Sequence, residues 1–533
     1  MRQKISPNPR RGPVPTGDAI AMIGAVVTGI SVLLFVCALI SFFVLPSESI
    51  ASLLPDDAFY YFKIARNFVK GYGFSFDAIN PTNGYQPLWM YLLLIPAYIT
   101  REMHVEVFPR VALVYQAILL LLAVVLLHSA MIQRCNLPAV LTGDAFTLVL
   151  GLRLFVNGME TTTVFLVFAS IIWYLSRQTA DPPGTTYFAL VGLLSGILFL
   201  SRLDSVFILL AWMVGHALLR KQLGMRWSHL LLMAGMVGLV AAPYLLYNYV
   251  IFGDWMPISG RLKSSFPRVE HPDLFRVPLQ FYLVLVICLF ATLWLWRKIE
   301  QPRMLLLFLL AWSAGSWVHA LHTVLFMKWA VFNWHFSSYW VPLTTVVPLL
   351  LTRWQPSRYT TLVYLAGMMV WIAITLLLGR LFWQAWRGEE IPNWHRVGYR
   401  AALWARQNTP ASAVFAMKDC GVFGYYSDRR VVNLDGVVNN RELQMYLHQQ
   451  QLARYLARKG VRFLVQHAVH ERSTAVEDAS SVAMGAYERT SIRYVSRLYG
   501  TVSDAIPLQR KQERFRQQAR EGVYLIWELR SAP

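Results

Sequence analysis

The amino-acid sequence predicts a polytopic α-helical membrane protein that carries a small α/β domain at its C-terminus. Of its 533 residues, 56% are hydrophobic and 15% are charged, a composition that excludes an ordinary soluble globular protein. Apolar runs close to the ~20 residues needed to cross a bilayer recur through most of the chain. After about residue 388 the pattern changes to short β-like runs that alternate with helical ones, which is typical of an α/β domain.

The N-terminal segments predict the orientation of the first membrane span. Residues 1–17 are basic and proline-rich, so we interpret them as a disordered cytoplasmic tail. The apolar run at 19–45 has no small-residue cleavage site after it, which favours a retained span over a signal peptide. The loop at 46–86 is then external and is predicted to be catalytic.

About eleven or twelve helices make up the predicted transmembrane domain. That domain covers 18–387, with further candidate spans at roughly 86–100, 106–132, 138–156, 160–176, 186–201, 204–220, 229–251, 277–297, 303–326, 338–352 and 359–386.

The formal net charge of +20 is explained by basic residues in short loops between the spans, as the positive-inside bias expects. A groove for a phosphate-bearing lipid is a second use of such charge, and nucleic acid binding is not implied. Placing the basic loops around Arg220, Arg297 and Arg353 on the cytoplasmic side leaves the 253–276 loop and the C-terminal domain outside.

This assignment contains a conflict in parity. Five candidate spans lie between Asp56 and Asp204, yet both residues are external only if an even number of those spans crosses the membrane. One candidate therefore does not cross. The sequence leaves two options open, the 138–156 segment, which contains charged residues, and the short 86–100 segment.

The predicted C-terminal domain covers residues 388–533. It begins with a helix at Trp394–Gln407, and a second helical pattern lies at Glu442–Arg458. The β-like runs are Val414–Met417, Val431–Leu434, Val461–Gln466 and Val523–Leu529. The glycine spacing of Gly421–Tyr426 does not fit a dinucleotide fingerprint, so no nucleotide site is predicted there.

A polar and aromatic stretch from Asp56 to Trp89 is the first candidate for chemistry, because costly polar groups beside a membrane usually serve a function. Its first residues predict an amphipathic helix along the membrane interface, with Lys63 and Arg66 near lipid phosphate. We predict that Asp56 acts as general base towards an acceptor hydroxyl, with Asp57 as the second choice. The alternative is that an aspartate caps the helix.

Other polar residues are predicted to bind sugar or acceptor hydroxyls. Tyr60, Asn83 and Gln86 lie in the same loop, although the sequence around Asn83 is equally typical of a turn. His335 lies among aromatic residues and is interpreted as part of an interfacial belt or a sugar platform.

Two carboxylates and three cations suit a glycosyl-phosphate site. Glu160 and Asp204 stand at the ends of apolar spans, where they are predicted to bind sugar hydroxyls; the alternative is a helix cap or an ion pair with a nearby arginine. Arg261, Lys263 and Arg202 are the predicted cations beside the donor phosphate, with ordinary interfacial charge as the alternative.

Several short motifs occur in an order that resembles one enzyme superfamily. They are Asp56-Asp57 followed by a span headed by Pro87-Leu88-Trp89, Gly158-Met159-Glu160-Thr161, Ser201-Arg202-Leu203-Asp204, Tyr247-Asn248 through Phe252-Gly253 and Pro257-Ile258-Ser259-Gly260 to Lys263, and Asp419-Cys420-Gly421 with Asp435-Gly436. Together they resemble the GT-C superfamily of membrane glycosyltransferases, in the branch of arabinofuranosyl, aminoarabinose and protein mannosyl transferases. Leu203 replaces the usual proline of that branch, and Ile258-Ser259 replaces its Asn-Thr, so the sugar identity is not implied.

The resemblance implies an inverting enzyme of the inner (plasma) membrane that acts on its extracytoplasmic side. Such enzymes transfer a sugar from a polyprenyl-phosphate donor to a hydroxyl of a glycan, lipid or protein. Some relatives hold a divalent metal on loop carboxylates; we expect none here and leave Mg²⁺ or Mn²⁺ open. His319 and His322 are three residues apart, as in metal sites, but without acidic or cysteine partners at ligand spacing a structural pair is favoured.

A transporter or flippase of a lipid-linked saccharide is the alternative function. Transporters more often show repeat symmetry between halves, whereas this chain has one large early loop and one terminal soluble domain. A catalytically silent scaffold with the same fold is a third reading, against which the intact Asp56-Asp57 pair argues.

Overall fold

The structure is a computed structural model that describes most of the chain. The described residues are 17–178, 183–299, 303–329, 331–353, 369, 371–380, 383–384, 386–387, 394–449, 451–468, 508–516 and 523–529. The predicted tail at 1–17 therefore falls almost wholly outside the described residues, as does much of the predicted span at 359–386.

The N-terminal part of the described chain is helical, which confirms the predicted architecture. Its helices are α1 (Gly17–Val44), α2 (Ser47–Leu53), α3 (Asp56–Asn67), α4 (Pro87–Ile99), α5 (Val107–Met131), α6 (Leu137–Leu154), α7 (Thr161–Ser176), α8 (Thr185–Ser201), α9 (Val206–Leu219), α10 (Trp227–Phe252), α11 (Ile258–Lys263), α12 (Leu279–Lys298), α13 (Arg303–Phe326), α14 (Leu343–Arg353) and α15 (Trp371–Arg380). Six of the described helices, α1, α5, α6, α10, α12 and α13, are long and apolar enough to cross a membrane. Shorter apolar helices are α4, α7, α8, α9 and α15.

Small residues allow the long helices to approach one another closely. A Cβ added at Gly192 of α8 would lie 2.6 Å from the carbonyl oxygen of Met233 in α10, and one added at Gly196 would lie 2.6 Å from Val240. The two glycines are four residues apart on one face of α8, the spacing that membrane helices use for backbone contact.

The C-terminal part is an α/β domain, as predicted. Its elements are α16 (Trp394–Asn408), β1 (Val414–Met417), α17 (Gly421–Tyr426), β2 (Arg430–Asn433), α18 (Arg441–His448), α19 (Leu452–Arg458), β3 (Phe463–Ala468), β4 (Leu508–Arg516) and β5 (Val523–Leu529). The sheet order is β2-β1-β3-β5-β4. Strand β1 pairs parallel with β2 and β3, while β5 pairs antiparallel with β3 and β4.

The sheet buries both faces, because side chains of β1 alternate between two cores. Val414 and Ala416 belong to a cluster with α18 and α19, whereas Phe415 and Met417 belong to the core shared with the membrane helices. Strand β4 was not predicted, since its sequence LQRKQERFR is dominated by polar and charged residues. The predicted helix at Glu442–Arg458 is divided into α18 and α19.

Helix α3 packs between other helices and the α/β domain, so its apolar side is covered by protein. Its position along the membrane interface stays a prediction. Of its 12 residues, only Asp57 is not buried. The Phe59 ring packs against Tyr426 of α17 with 5.4 Å between ring centroids, and Lys63 Nζ donates to the Arg429 carbonyl oxygen at 3.2 Å. The amphipathic pattern of α3 is thus explained by the α/β domain that covers it rather than by lipid.

Helix α4 has the geometry of the candidate segment that does not cross. Its 13 residues span roughly 20 Å, which is short of the ~30 Å hydrocarbon core. Just before α4, the Gln86 side-chain oxygen accepts a bond from the Leu203 N–H at the end of α8 (3.0 Å). Just after α4, the Val105 carbonyl accepts a bond from the Tyr425 hydroxyl of the α/β domain (2.6 Å). Both ends lie on the side of the α/β domain, so we infer that α4, rather than α6, does not cross.

Replacing Gly421 by alanine is expected to separate the α/β domain from α3. A Cβ at this position would lie 2.0 Å from the Asp56 carbonyl oxygen and 2.8 Å from its Cγ, so the backbones must move apart. Overpacking of this kind costs about 1–3 kcal/mol or more. We expect a lower thermal unfolding temperature in detergent for Gly421→Ala than for wild type.

The matched control is Gly235→Ala, because a Cβ at Gly235 meets nothing within 4 Å. Equal unfolding temperatures for the two variants would contradict the close approach of α17 to α3.

Candidate active site

A cavity of about 320 Å³ lies between the helical part and the α/β domain. Its walls come from α3, the segment before α4, the connections at the ends of α7 and α8, α11, α13 and the turn at 333–340. The polar residues that line it are Asp57, Tyr60, Tyr61, Tyr85, Gln86, Glu160, Arg202, Asp204, Ser259, Lys263, Ser264, His319, His322, Thr323 and His335.

Asp57 faces this cavity and has a cation beside it. Lys263 Nζ, at the end of α11, lies 4.0 Å from Asp57 Oδ2, and their side chains are 23% and 30% exposed. Burial raises the pKa of Asp57 above its usual range, and the positive charge of Lys263 opposes that rise. The Asp57 carboxylate, which has a raised pKa and a lysine beside it, is thus accessible to a ligand in the cavity.

Asp56 does not line the cavity, which disagrees with its predicted role as the first-choice general base. Its Oδ2 accepts a bond from the Gly421 N–H (2.7 Å) and its Oδ1 accepts one from the Val422 N–H (2.8 Å). Burial raises the pKa of Asp56, whereas these two donors oppose the rise because they stabilise the carboxylate. Asp56 therefore connects α3 to α17 through hydrogen bonds. This role is close to the capping alternative, but the helix that Asp56 caps is α17 of the α/β domain and not α3.

Arg202 joins the two carboxylates that were predicted to bind sugar. Its Nε donates to both carboxylate oxygens of Asp204 at 2.9 Å, and its Nη1 lies 3.6 Å from Glu160 Oε1. Nη1 also donates to the Trp334 carbonyl oxygen at 3.0 Å. The guanidinium charge is thus compensated by two carboxylates of the protein. Arg202 therefore holds the cavity wall in position, and it has no unpaired charge to offer to a phosphate.

Tyr61 and Gln86 extend this network to α3. The Tyr61 hydroxyl donates to Glu160 Oε2 (3.1 Å) and accepts a bond from the Gln86 backbone N–H (3.0 Å). The Gln86 side-chain oxygen is engaged by Leu203, so its amide nitrogen is the donor that remains for a ligand.

The histidines of the cavity do not form a metal pair. His319 Nε2 lies 3.3 Å from Asp204 Oδ2 and Nδ1 lies 2.7 Å from the Tyr339 hydroxyl oxygen, so both ring nitrogens are used. His322 lies among aromatic rings, with its ring centroid 5.2 Å from that of Phe207. His335 lines the cavity, and burial lowers its pKa well below the usual range.

Two predicted ligand residues lie outside this cavity. Asn83 lies outside this cavity, because its Oδ1 accepts from the Ile258 N–H (3.0 Å) and its Nδ2 donates to Asn248 (3.2 Å). Arg261 forms an ion pair with Asp254 on the opposite face of α11. Asn83 and Arg261 therefore do not line this cavity, since a buried amide pair and helix periodicity direct them elsewhere, and their roles in ligand binding stay predictions.

Tyr60 lines the cavity, but its hydroxyl serves the domain contact. The hydroxyl donates to Asp435 Oδ2 and accepts a bond from the Cys420 N–H, each at 3.2 Å. Its ring is the part that a ligand would meet.

The α/β domain supplies part of the wall that sequence reasoning missed. Val437 and Val438 line the cavity and pack on Gly84, where an added Cβ would lie only 1.8 Å from the Val437 carbonyl oxygen. Tyr61 and His319 were also missed as members of the site. The signal for His319 was an ionisable residue inside an apolar helix, which usually has a partner in the membrane domain.

The carboxylates of the cavity do not fit a divalent cation. In the described parts of the chain, no three His, Cys, Asp or Glu side chains come together as they would around a metal. Glu160 and Asp204 are taken by Arg202, and Asp57 has an ammonium group as its neighbour, whereas Mg²⁺ and Mn²⁺ need several converging oxygens. We therefore derive no step through a metal.

Comparison with solved structures identifies the fold. ArnT from Cupriavidus metallidurans bound to undecaprenyl phosphate aligns with a TM-score of 0.57 at 13% identity, over 94% of this chain and 98% of that chain. The archaeal oligosaccharyltransferase AglB from Archaeoglobus fulgidus, in complex with an inhibitory peptide and a dolichol-phosphate, aligns with a TM-score of 0.51 at 13% identity, over 84% and 69% of the two chains. The predicted GT-C-like fold is thereby confirmed.

Sequence comparisons contribute less. Residues 387–517 match a family model described as a domain of unknown function (DUF8728). A search of curated proteins found no match in sequence.

Proposed function

We propose that this protein is a glycosyltransferase that moves a sugar from a polyprenyl phosphate to a hydroxyl of an extracytoplasmic glycan, lipid or protein. The observation that carries the proposal is Asp57 beside Lys263 in a cavity under the α/β domain of a GT-C fold. Structural neighbours with undecaprenyl phosphate and dolichol-phosphate bound support the class of donor.

Asp57 is the general base in this proposal. It removes the proton from the acceptor hydroxyl while the acceptor oxygen forms a bond to the anomeric carbon. The bond between that carbon and the phosphate oxygen breaks, and its electron pair leaves with the polyprenyl phosphate. The ammonium group of Lys263 stabilises the charge that develops on the departing phosphate.

The pairing of the other carboxylates supports a single displacement, which inverts the anomeric configuration. A double displacement needs a second carboxylate to attack the sugar. Glu160 is held by Tyr61 and Arg202, and Asp204 by Arg202 and His319. Asp57 is therefore the carboxylate of the cavity best placed to react, and as a base it serves direct attack by the acceptor oxygen on the anomeric carbon.

The apolar part of the cavity suits a lipid-linked donor in a membrane. Phe207, Met256, Phe266 and Trp334 contribute to the wall that also holds Lys263. Such side chains would contact the first isoprene units while the cation contacts the phosphate. The basic-loop distribution supports an extracytoplasmic site in a multi-pass plasma membrane.

The test is sugar transfer by the purified protein in liposomes. A panel of polyprenyl-phosphate sugars is supplied with a cell-envelope extract, and labelled products are separated from the donor. We expect one or more donors to label the extract. Transfer with no donor of the panel, together with transbilayer movement of an intact lipid-linked sugar, would favour the transporter instead.

Lys263→Gln is expected to move the acid limb of activity to higher pH. The base must be ionised, so activity is present above the pKa of Asp57 and is lost as the pH falls through it. Burial raises that pKa and Lys263 lowers it, so removing the lysine raises it further. The measurement is kcat/KM as a function of pH for the variant and wild type.

Arg268→Gln is the matched control, since Arg268 lies exposed in the same external loop. An acid limb that stays in place or moves to lower pH in Lys263→Gln would contradict the pairing of Asp57 with Lys263.

A further inference from the structure

A second cavity, of about 510 Å³, lies on the other side of α11. Ser259, Gly260 and Lys263 face the first cavity, whereas Arg261 and Leu262 face the second. The two cavities are neighbours, because Met256 contributes to both walls. One short helix therefore separates the proposed reaction site from a larger space that the mechanism does not use.

The second cavity is built by both parts of the molecule. The loop after α10 and the segment that follows α13 form one wall, and α18 of the α/β domain forms the other. A ligand in this space would contact the helical part and the α/β domain at once.

The charges of the lining are mainly positive. Arg261, Lys328 and Arg441 line the cavity with Asp254 as their acidic counterpart. Asp254 is paired with Arg261, which leaves the charges of Lys328 and Arg441 uncompensated among the described residues of the lining. Lys328 and Arg441 are both exposed, so a ligand that enters the cavity from solvent can contact their side chains.

Neutral polar residues complete the lining beside these cations. Asn440, Gln444 and His448 belong to it. An ammonium and a guanidinium group among such residues match the oxygens of a phosphate or carboxylate.

We propose that the second cavity binds an anionic group of the acceptor, a phosphate or carboxylate carried by a saccharide. This inference rests on the proposed function and adds the chemical class of the acceptor. The acceptor hydroxyl lies at Asp57 while the anionic group lies across α11, between Lys328 and Arg441. A helix is about 10 Å wide, so an acceptor with several sugar units reaches both places.

The test is binding of glucose 6-phosphate, with glucose as the neutral probe, to the full-length protein in phosphatidylcholine nanodiscs. We expect tighter binding of the phosphorylated sugar. Arg441→Gln and Lys328→Gln are each expected to weaken it about tenfold, because each removes a charge-assisted contact. Arg268→Gln, outside both cavities, is expected to bind as wild type does. Equal binding of the two probes, or unchanged binding by both lining variants, would overturn the proposal.

One further arm identifies the source of the anion. If phosphatidylglycerol in the nanodisc abolishes binding of glucose 6-phosphate, the cavity holds a lipid headgroup and the acceptor assignment is overturned. If the probe still binds, the assignment is supported. The binding assay needs no donor and no turnover, so its outcome is independent of whether sugar transfer is found.

Discussion

Asp57→Asn is expected to lower kcat by about 10²–10⁴ while the protein stays folded and keeps its affinity for the donor. Positioned general bases contribute rate factors of this size, and an amide cannot accept the proton. Folding is expected to persist because Asp57 is the one residue of α3 that is not buried, and the cation that pairs with it is Lys263.

Asp56→Asn is the matched comparison, one residue away in the same helix. It disturbs the two bonds to the Gly421 and Val422 amides, so we expect a lower unfolding temperature. The kcat of the molecules that remain folded should stay close to that of wild type. Loss of kcat in Asp56→Asn with full activity in Asp57→Asn would reverse the assignment and restore Asp56 as the base.

Arg202→Met is expected to give the largest loss of stability among single substitutions in the cavity wall. The side chain is 5% exposed and compensates both Glu160 and Asp204. Removing one member of a buried ion-pair network costs roughly 3–5 kcal/mol, because the carboxylates are left without their counter-charge. The measurement is the free energy of unfolding, or the unfolding temperature in detergent where unfolding is irreversible.

A double variant separates charge compensation from lost packing. Asp204→Asn in the Arg202→Met background removes one stranded charge and is expected to recover part of the loss. If the double variant is as unstable as the sum of its single variants, the network does not act through charge.

The elements of the fold were predictable wherever one local pattern dominates. Strand β1 and strand β5 were predicted with their observed bounds, and helix α16 to within one residue, because β-branched runs and a helical apolar stripe leave little ambiguity. Strand β4 was missed because its charged sequence pairs with β5 only in the folded sheet. Long-range pairing is what the local pattern cannot show.

The sequence allowed several residues of the site to be predicted, but not which side chains face the cavity. Glu160 and Asp204 were chosen as carboxylates at the ends of apolar spans, and Arg202 and Lys263 as cations for a phosphate. All four line one cavity. Which of two adjacent aspartates faces that cavity depends on a turn of α3 and on where the α/β domain rests.

The roles of several residues follow from their partners. Arg261 and Lys263 differ by two positions, which places them on opposite faces of α11. His319 pairs with Asp204 from a helix more than a hundred residues away, so its sequence neighbours contain no sign of that contact. Such contacts arise only when the helices pack.

The α/β domain has a structural part in the proposed chemistry. Its α17 holds Asp56, its Asp435 holds Tyr60, and its Val437 and Val438 close the cavity beside Gly84. A substitution that loosens this domain, such as Gly421→Ala, is therefore expected to lower total activity by lowering the folded fraction, while the kcat of the molecules that remain folded stays close to that of wild type.

The most direct test of the account measures both products of the reaction at once. Purified wild type and Asp57→Asn, in liposomes with a donor that supports transfer, are assayed for glycosylated acceptor and for released polyprenyl phosphate. The account predicts equal amounts of the two products from wild type and neither from Asp57→Asn at the same protein concentration. Movement of intact donor across the bilayer without release of polyprenyl phosphate, or full release by Asp57→Asn, would contradict it.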